Sequence, residues 1–379
     1  MIYLDNNATT PVAPEVLEAM LPYLGDQFYN PSSHYRAAKR VRKAVETARE
    51  QVAALIGASN EEIVFTSGGT EAVNSATFSA MQLQPDRKHI VTTAVEHPAV
   101  LEQAKWLESL GWMVNRIAVN AGGALELAAF EEALRSTPAT LAHVMWANNE
   151  TGVTFPVTEA CELSHRYGTL FHCDAVQAAG KIPVHVDEIP VDYLSLSGHK
   201  IHASKGIGAL YVSRRVRFRP LLYGGGQELG RRSGTENVSG IVGLGKAAEL
   251  AHSALVNGEM KRVGELRDRF ESLLVERLTE MTINGDPSSR VPHTSNVRFA
   301  GAENAGLLLL LDNAGVCASA GSACHTASKQ PSHVLAAMGL DSKQAGESVR
   351  FSFSRYNTSA EVEKAVELVA KAVGRLRGM

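Results

Sequence analysis

Cysteine is scarce in this chain: four stand among 379 residues (Cys161, Cys173, Cys317 and Cys324), and no two form a CxxC pair. That scarcity excludes a disulfide-stapled scaffold and a structural zinc site. Long apolar runs are missing too. The strongest, Gly306 to Leu311, is far shorter than a bilayer crossing requires. The first residues, Met1-Ile2-Tyr3-Leu4-Asp5-Asn6, lack the basic-then-apolar order of a secretory leader. There is little excess charge: 37 Lys and Arg face 40 Asp and Glu, a net of −3, which argues against phosphate backbones and anionic membranes as main partners. No repeat or low-complexity tract appears. Together these lacks lead to the expectation of a soluble cytoplasmic protein that binds no nucleic acid, no membrane and no resident metal.

What is present is a composition of ordinary globular type, 45% hydrophobic and 20% charged, which rules out disorder as the main state. Short β-branched runs predict strands over 62–66, 89–93, 141–146, 170–173 and 193–196, and helical periodicity fills 15–23, 37–56, 99–110 and 127–136 between them. That alternation predicts an α/β fold with a mainly parallel sheet covered by helices. One long charged helix is expected over 253–280, and a last helix over 360–377. A boundary near residue 255 gives a large domain over 15–255; residues 1–14 and 256–379 form a smaller α+β domain.

Ligands of open parallel sheets bind beyond the carboxyl ends of the strands, so the residues just after each strand carry the information. Phe65-Thr66-Ser67-Gly68-Gly69-Thr70-Glu71 leads from a strand into a helix. It reads either as a tight turn capped by Thr70 or as a cup for phosphate at a helix start. Asp174 closes an apolar strand, and Lys200 follows another strand 26 residues later. Pyridoxal phosphate needs a phosphate cup, an acid for its ring nitrogen and a lysine able to form a Schiff base, and the chain supplies all three in that order. His97 after the second strand, and the polar cluster Asn148-Asn149-Glu150-Thr151-Gly152 after the third, add a proton-transfer group and hydrogen-bonding groups.

Two other features were weighed. Gly243 to Ala248 matches G-x-G-x-x-A but follows no strand, and the basic run Arg214 to Arg219 lacks any accompanying nucleic-acid motif; both read as structural. Cys324 is different. It lies in Ser319-Ala320-Gly321-Ser322-Ala323-Cys324-His325, a small polar stretch with no packing role for a thiol, whereas Cys161, Cys173 and Cys317 occupy helix-like or strand-like apolar surroundings. Basic neighbours His325 and Lys329 favour the thiolate, and six residues of loop span roughly 20 Å.

These motifs, in this order over essentially the whole chain, resemble the NifS/IscS-type cysteine desulfurases, which are fold-type I pyridoxal-phosphate enzymes of the class V aminotransferase family. The likeness runs from Tyr3 to Pro11 through Asn30-Pro31-Ser32-Ser33, Glu96-His97-Pro98, Asp174 to Gln177, Ser197 to Lys200 and Gly224 to Asn237, and on to Gly321 to Cys324 and Ser348 to Ser352. It implies a seven-stranded, mainly parallel sheet in the large domain. It implies that Lys200 carries the cofactor, Asp174 pairs with the ring nitrogen and His97 stacks on the ring. Asn149 and Gln177 would serve the phenolic-oxygen side, and Gly69, Thr70, Ser197 and His199 the phosphate. Thr235 would reach the phosphate of a partner subunit, so the expected state is a homodimer with shared sites. Arg350, with Asn30 and Asn149, would hold the substrate carboxylate, and Cys324 would accept sulfur as a persulfide.

The implied reaction converts L-cysteine to L-alanine, with sulfur passed to an acceptor protein for iron–sulfur cluster assembly, nitrogenase clusters among them, or for thiolation. In that role Cys324 would meet a cluster only transiently, on the partner. The long loop around Cys324 and the short C-terminal end resemble the NifS-like class, which delivers sulfur directly to partners. A selenocysteine lyase or a cysteine or cystine β-lyase on the same scaffold is the alternative, and Cys324 discriminates between them. A non-catalytic sulfur-relay scaffold is a third reading, opposed by the presence of Lys200, Asp174 and His97.

Overall fold

The computed structural model describes residues 1–321 and 331–378; Cys324, His325 and Lys329 lie outside the described residues. Twelve strands and twelve helices are present among them. The strands are β1 (Ile2–Tyr3), β2 (Ile63–Thr66), β3 (His89–Thr93), β4 (Met113–Ile117), β5 (Leu141–Met145), β6 (Leu170–Asp174), β7 (Tyr193–Ser197), β8 (Gly208–Val212), β9 (Met281–Ile283), β10 (Thr294–Phe299), β11 (Val316–Cys317) and β12 (Ser348–Ser352). The helices are α1 (Pro14–Leu24), α2 (Arg36–Ile56), α3 (Gly69–Leu83), α4 (Pro98–Ser109), α5 (Leu127–Ser136), α6 (Val157–Arg166), α7 (Val238–Val256), α8 (Glu259–Arg277), α9 (Asn304–Asn313), α10 (His333–Ala337), α11 (Ser342–Gly346) and α12 (Ser359–Arg377).

Seven strands form the central sheet in the order β2-β8-β7-β6-β5-β3-β4. All neighbours are parallel except at β8, which runs antiparallel to both β2 and β7. The inner strands β3, β5, β6 and β7 are buried along almost their whole length, as strands covered on both faces must be. Four of the five expected strands are offset by at most one residue from those observed, and β3 coincides with its expected range.

The covering helices follow from local sequence. Helix α2 places Ala38, Val41, Val45, Ala48 and Val52 on one buried stripe and stops at Gly57, whose φ of 66° closes the end with a bond from its N–H to Ala53 O. Helix α7 packs along α2 at Gly245, where a Cβ atom would lie 2.5 Å from Ala48 Cα. The G-x-G-x-x-A match is therefore a helix-crossing point, where small residues let two backbones approach. The single charged helix expected over 253–280 is two helices. The turn Asn257-Gly258, with Gly258 at φ 74°, separates α7 from α8.

Beyond α7 a second core forms. Leu4, Phe270, Phe299, Phe351, Phe353 and Val366 belong to it, held by the three-stranded antiparallel sheet β12-β10-β9 and helices α8, α9 and α12. The N-terminus joins this side. Strand β1 pairs in parallel with β11, and Asp5 bridges to Ser352. The segment carrying α10 turns back instead, and Val334, Leu335 and Met338 pack into the core of the large sheet. Residues 5–10 and 348–352 thus cross between the two cores, and the cleft described next lies along that crossing.

Candidate active site

A cleft of about 460 Å³ opens at the carboxyl ends of β3, β5, β6 and β7. Its walls include Gly69, Thr70, His97, Asn149, Asp174, Gln177, Ser197, His199, Lys200 and Arg350. Ten residues scattered between positions 69 and 350 are brought together by one rule: each directly follows, begins or lies on an element whose end faces the cleft. Asn30 and Thr235 are not on the wall of this chain's own cleft. Both are exposed, and Asn30 uses its side-chain oxygen to accept a bond from Ser32 N at 2.8 Å.

Lys200 ends a short turn, Gly198–Lys200, that follows β7. Its Nζ donates to the carbonyl oxygens of Asn7 and Ala8, the latter at 2.8 Å. Its own carbonyl accepts from Lys181 Nζ at 2.8 Å. Lys181 is buried, and desolvation together with the charge of Lys200 pulls its amine down to about 7. Asp174, the last residue of β6, is 7% exposed and accepts from Val176 N at 3.0 Å. Burial raises its carboxyl to about 6, against the opposing pull of the Val176 amide and the Lys200 cation. A further cationic N–H delivered against Asp174 would relieve that desolvation and hold the group ionised.

His97 caps helix α4. Its Nδ1 accepts from Ala99 N at 3.1 Å and Pro98 occupies the first helical position. With Nδ1 an acceptor, the neutral ring carries its proton on Nε2. The Gly68–Thr70 turn is not capped by Thr70, as one reading of the sequence had it. Gly68 is the cap residue, and no side-chain cap bond forms there among the described residues. The turn is held close to the sheet because Gly208 of β8 has no side chain: a Cβ there would fall 2.6 Å from Gly68 Cα and 2.6 Å from Leu196 O. His199 meets Thr9 Oγ1 at 3.2 Å, and burial beside Lys200 and Lys205 pushes it down to about 4. It is therefore a neutral hydrogen-bonding group near neutral pH, and Lys200 and Lys205 are the lysines beside it on this wall.

At the opposite edge Arg350, 1% exposed on β12, donates from Nη1 to Asn149 O at 3.0 Å and from Nη2 to Asp5 Oδ1 at 2.7 Å. Its buried Nε has no partner among the described residues. Gln177 is in a similar condition. Its Nε2 donates to Asn7 O at 3.1 Å while Oε1 is buried without a partner among the described residues. Ser319, just before the undescribed stretch, exchanges two backbone bonds with Arg350, at 2.7 and 3.2 Å. Ser332, just after it, donates to Glu150 Oε2 at 2.5 Å. Both flanks of the Cys324 segment are thus tied next to Arg350 and Asn149.

A family model described as aminotransferase class-V matches residues 2–365. The chain belongs to the class-V aminotransferase family. Within it, this aminotransferase-family chain is 52% identical over all its length to a cysteine desulfurase of Trichormus azollae, of which it spans 94%. Among solved structures it is similar to a NifS-like protein, with 35% identity, a TM-score of 0.91 and 99% of both chains covered. It is also similar to SspA, solved in complex with cysteine, with 35% identity, a TM-score of 0.83, and 94% of this chain and 100% of that one covered. The resemblance read from the motifs holds, as does the expected fold, and the protein is a cysteine desulfurase of the pyridoxal-phosphate-dependent class.

Four residues of this desulfurase site were assigned no role from the sequence. Asp5 neutralises Arg350, Lys181 holds the Lys200 carbonyl, Lys205 adds positive charge beside His199, and Glu96 anchors the His97 turn. Glu96 is fully buried; it accepts from Thr93 Oγ1 and Met145 N, and burial beside Asp174 raises it to about 8. A carboxylate next to a histidine after a strand was the available signal for Glu96. For Lys181 there was none.

Proposed function

We propose that the cleft holds pyridoxal 5'-phosphate and L-cysteine together. In this reading Lys200 is the lysine that carries the cofactor, and Asp174 faces its ring nitrogen. His97 lies over the ring, Asn149 and Gln177 serve the phenolic side, and Gly69, Thr70, Ser197 and His199 take the phosphate. The observation that carries the reading is the convergence of Lys200 and a buried Asp174 on one cleft, with the unpartnered Arg350 Nε at its far edge. Gln177 Oε1 and the helix start at Gly68, both without a side-chain partner among the described residues, are the polar groups that such an occupant would satisfy. When bound, the cofactor supplies an electron-poor ring that accepts the electrons of the substrate Cα–H bond.

The chain's own residues do the rest. Arg350 takes the substrate carboxylate on its open donor side, with Asn149 beside it, and Asn30 joins from the rim. The Lys200 amine, already positioned by the Asn7 and Ala8 carbonyls, takes the α-proton. His97, its exchangeable proton on Nε2, handles proton transfer at the substrate sulfur. The Cys324 thiolate attacks that sulfur: the new S–S bond forms as the Cβ–S bond breaks, and the carbon side leaves, once protonated, as alanine. Cys324 follows three positions after Gly321, which abuts Glu150, a reach of about 11 Å.

Thr235 completes the phosphate cup of a second copy, giving a homodimer, and the domain division 15–255 against 1–14 with 256–379 lets the small domain bring the thiol to the cofactor domain. The sulfur passes to an acceptor protein, for iron–sulfur assembly or thiolation, in the cytoplasm. Among the described residues no helix is long and apolar enough to cross a membrane.

Purified protein should be yellow, lose that band on borohydride treatment, and convert L-cysteine to equal amounts of alanine and sulfide when a reducing thiol is supplied. Pyruvate and ammonia in place of alanine would instead establish the β-lyase alternative. Arg350→Gln should lower kcat/KM for cysteine about 10- to 100-fold, the worth of a charge-assisted hydrogen bond, and chiefly through KM. An unchanged KM would remove Arg350 from the substrate site.

A further inference from the structure

Beneath the cleft lies a polar layer that the reaction does not touch. Side chains alternate along a strand, so His172 shares a face with Asp174, Ser195 with Ser197, and His143 with Met145. Each of the three sits one pleat below a residue of the cleft wall. Apolar residues would be the ordinary choice there; instead His172, Ser195 and His143 are all 1% exposed or less.

Their hydrogen bonds are continuous. Ser195 Oγ lies 2.8 Å from His172 Nε2, and His172 Nδ1 lies 3.0 Å from His143 Nδ1. His143 Nε2 lies 3.2 Å from Thr77 Oγ1, and Thr77 Oγ1 lies 2.6 Å from Gln103 Oε1. Gln103 Nε2 meets Asn74 Oδ1 at 2.9 Å, and Asn74 Nδ2 meets the carbonyl oxygen of Thr70 at 2.8 Å. The series runs from the strand that ends at Ser197, under Asp174, up through α3 and across to α4, and finishes in the first turn of α3.

One end fixes every proton in it. The Thr70 carbonyl can only accept, so Asn74 presents its amide nitrogen there and its oxygen to Gln103. Gln103 then donates to Asn74 and accepts from the Thr77 hydroxyl. Thr77 Oγ1 must accept from His143 Nε2–H, which leaves His143 Nδ1 as an acceptor and His172 Nδ1–H as its donor. His172 Nε2 accepts in turn from Ser195. Both rings are neutral, because burial holds His143 down at about 3 and His172 well below its ordinary range. The groups facing the two imidazoles are uncharged, namely Ser195, Thr77 and each other's rings.

We propose that this one-directional series of hydrogen bonds is a positioning device for the phosphate cup, tying the Thr70 turn to the strands that carry Asp174 and Lys200. None of its members beyond Thr70 is a catalytic residue; they act by fixing where the first amides of α3 lie relative to Ser197. A substitution in the middle should loosen the hold on phosphate while leaving the rest of the cofactor's contacts in place. The assignment of the cup rests on the function proposed above, whereas the proton order does not.

Histidine-labelled apoprotein tests the proton order by nitrogen chemical shifts and couplings. His143 should be protonated at Nε2 and His172 at Nδ1; the reverse pair overturns the network whatever the cleft binds. Thr77→Val is nearly isosteric and removes only the hydroxyl. Titrated into apoprotein, pyridoxal phosphate should bind this variant about 10-fold more weakly than wild type, while pyridoxal, which lacks the phosphate, should bind within about two-fold. Thr77→Ser should restore wild-type affinity. Equal losses for both compounds, or none for either, overturn the cup assignment. Wild-type apoprotein that takes up no pyridoxal phosphate overturns the function reading itself.

Discussion

Lys200→Ala should yield a folded, colourless protein whose rate of alanine formation from cysteine falls by at least about 10⁴-fold. A single acid–base group contributes about 10²–10⁴-fold, and in the function proposed above this amine has a second task in carrying the cofactor. The position explains why no neighbour can replace it. Lys181 is committed to the Lys200 carbonyl from inside the fold, and it is the Lys200 amine that the Asn7 and Ala8 carbonyls hold. Removal of the side chain leaves the carbonyl of Ala8 without this donor and that of Asn7 with Gln177 alone of the two side-chain donors, a local loss that should shift the melting temperature little. A small soluble amine such as methylamine should restore part of the activity in proportion to its concentration. Full activity in the alanine variant would overturn the assignment of Lys200.

The second large effect concerns the thiol. Cys324→Ala should keep the yellow band and its borohydride response but lose sulfide release from cysteine by at least about 10²-fold, since a positioned nucleophile is missing and water does not accept sulfur in its place. The other three thiols cannot substitute. Cys161 and Cys173 are fully buried, which pushes the first up to about 12 and the second well above its ordinary range, and Cys317 is also raised. A thiol held in its neutral form is neither a nucleophile nor a sulfur acceptor. Native protein should therefore show one rapidly alkylated cysteine, and the Cys324→Ala variant none. A variant with undiminished sulfide output would make the β-lyase reading the better one.

Much of this was legible in the sequence, and for identifiable reasons. The strands of the large sheet are short and rich in apolar and β-branched residues, so β3, β5, β6 and β7 stand out. The cleft residues directly follow them, which is why Asp174, Lys200 and His97 could be picked out one at a time. Between Ser253 and Glu280, in contrast, only Asn257-Gly258 interrupts the helical run, and the left-handed backbone of Gly258 divides α7 from α8. The supporting residues were hidden for a different reason. Lys181, Asp5 and Glu96 act by long-range contacts with Lys200, Arg350 and Met145, and nothing in their local sequence specifies those partners. The same holds for His143 and His172, which read as polar interruptions of two apolar strands until their rings meet.

The tie between the chain's two ends has a consequence for how the protein is made. Asn7 and Ala8 are among the first residues synthesised, yet some of the groups that seat this segment come late. Asn6 donates to Ser352 O, Asn7 N to Ser352 Oγ, and Arg350 reaches back to Asp5. Such contacts, separated by some 345 residues, close a loop that takes in most of the chain and belong to the slow part of folding. The large sheet can assemble as the ribosome delivers it, but the floor under Lys200 is complete only after β12 has emerged. A nascent chain truncated before residue 350 would carry the lysine with Asn7 held only by such partners as Asn149, Gln177 and Thr294, and without its ties to Ser352.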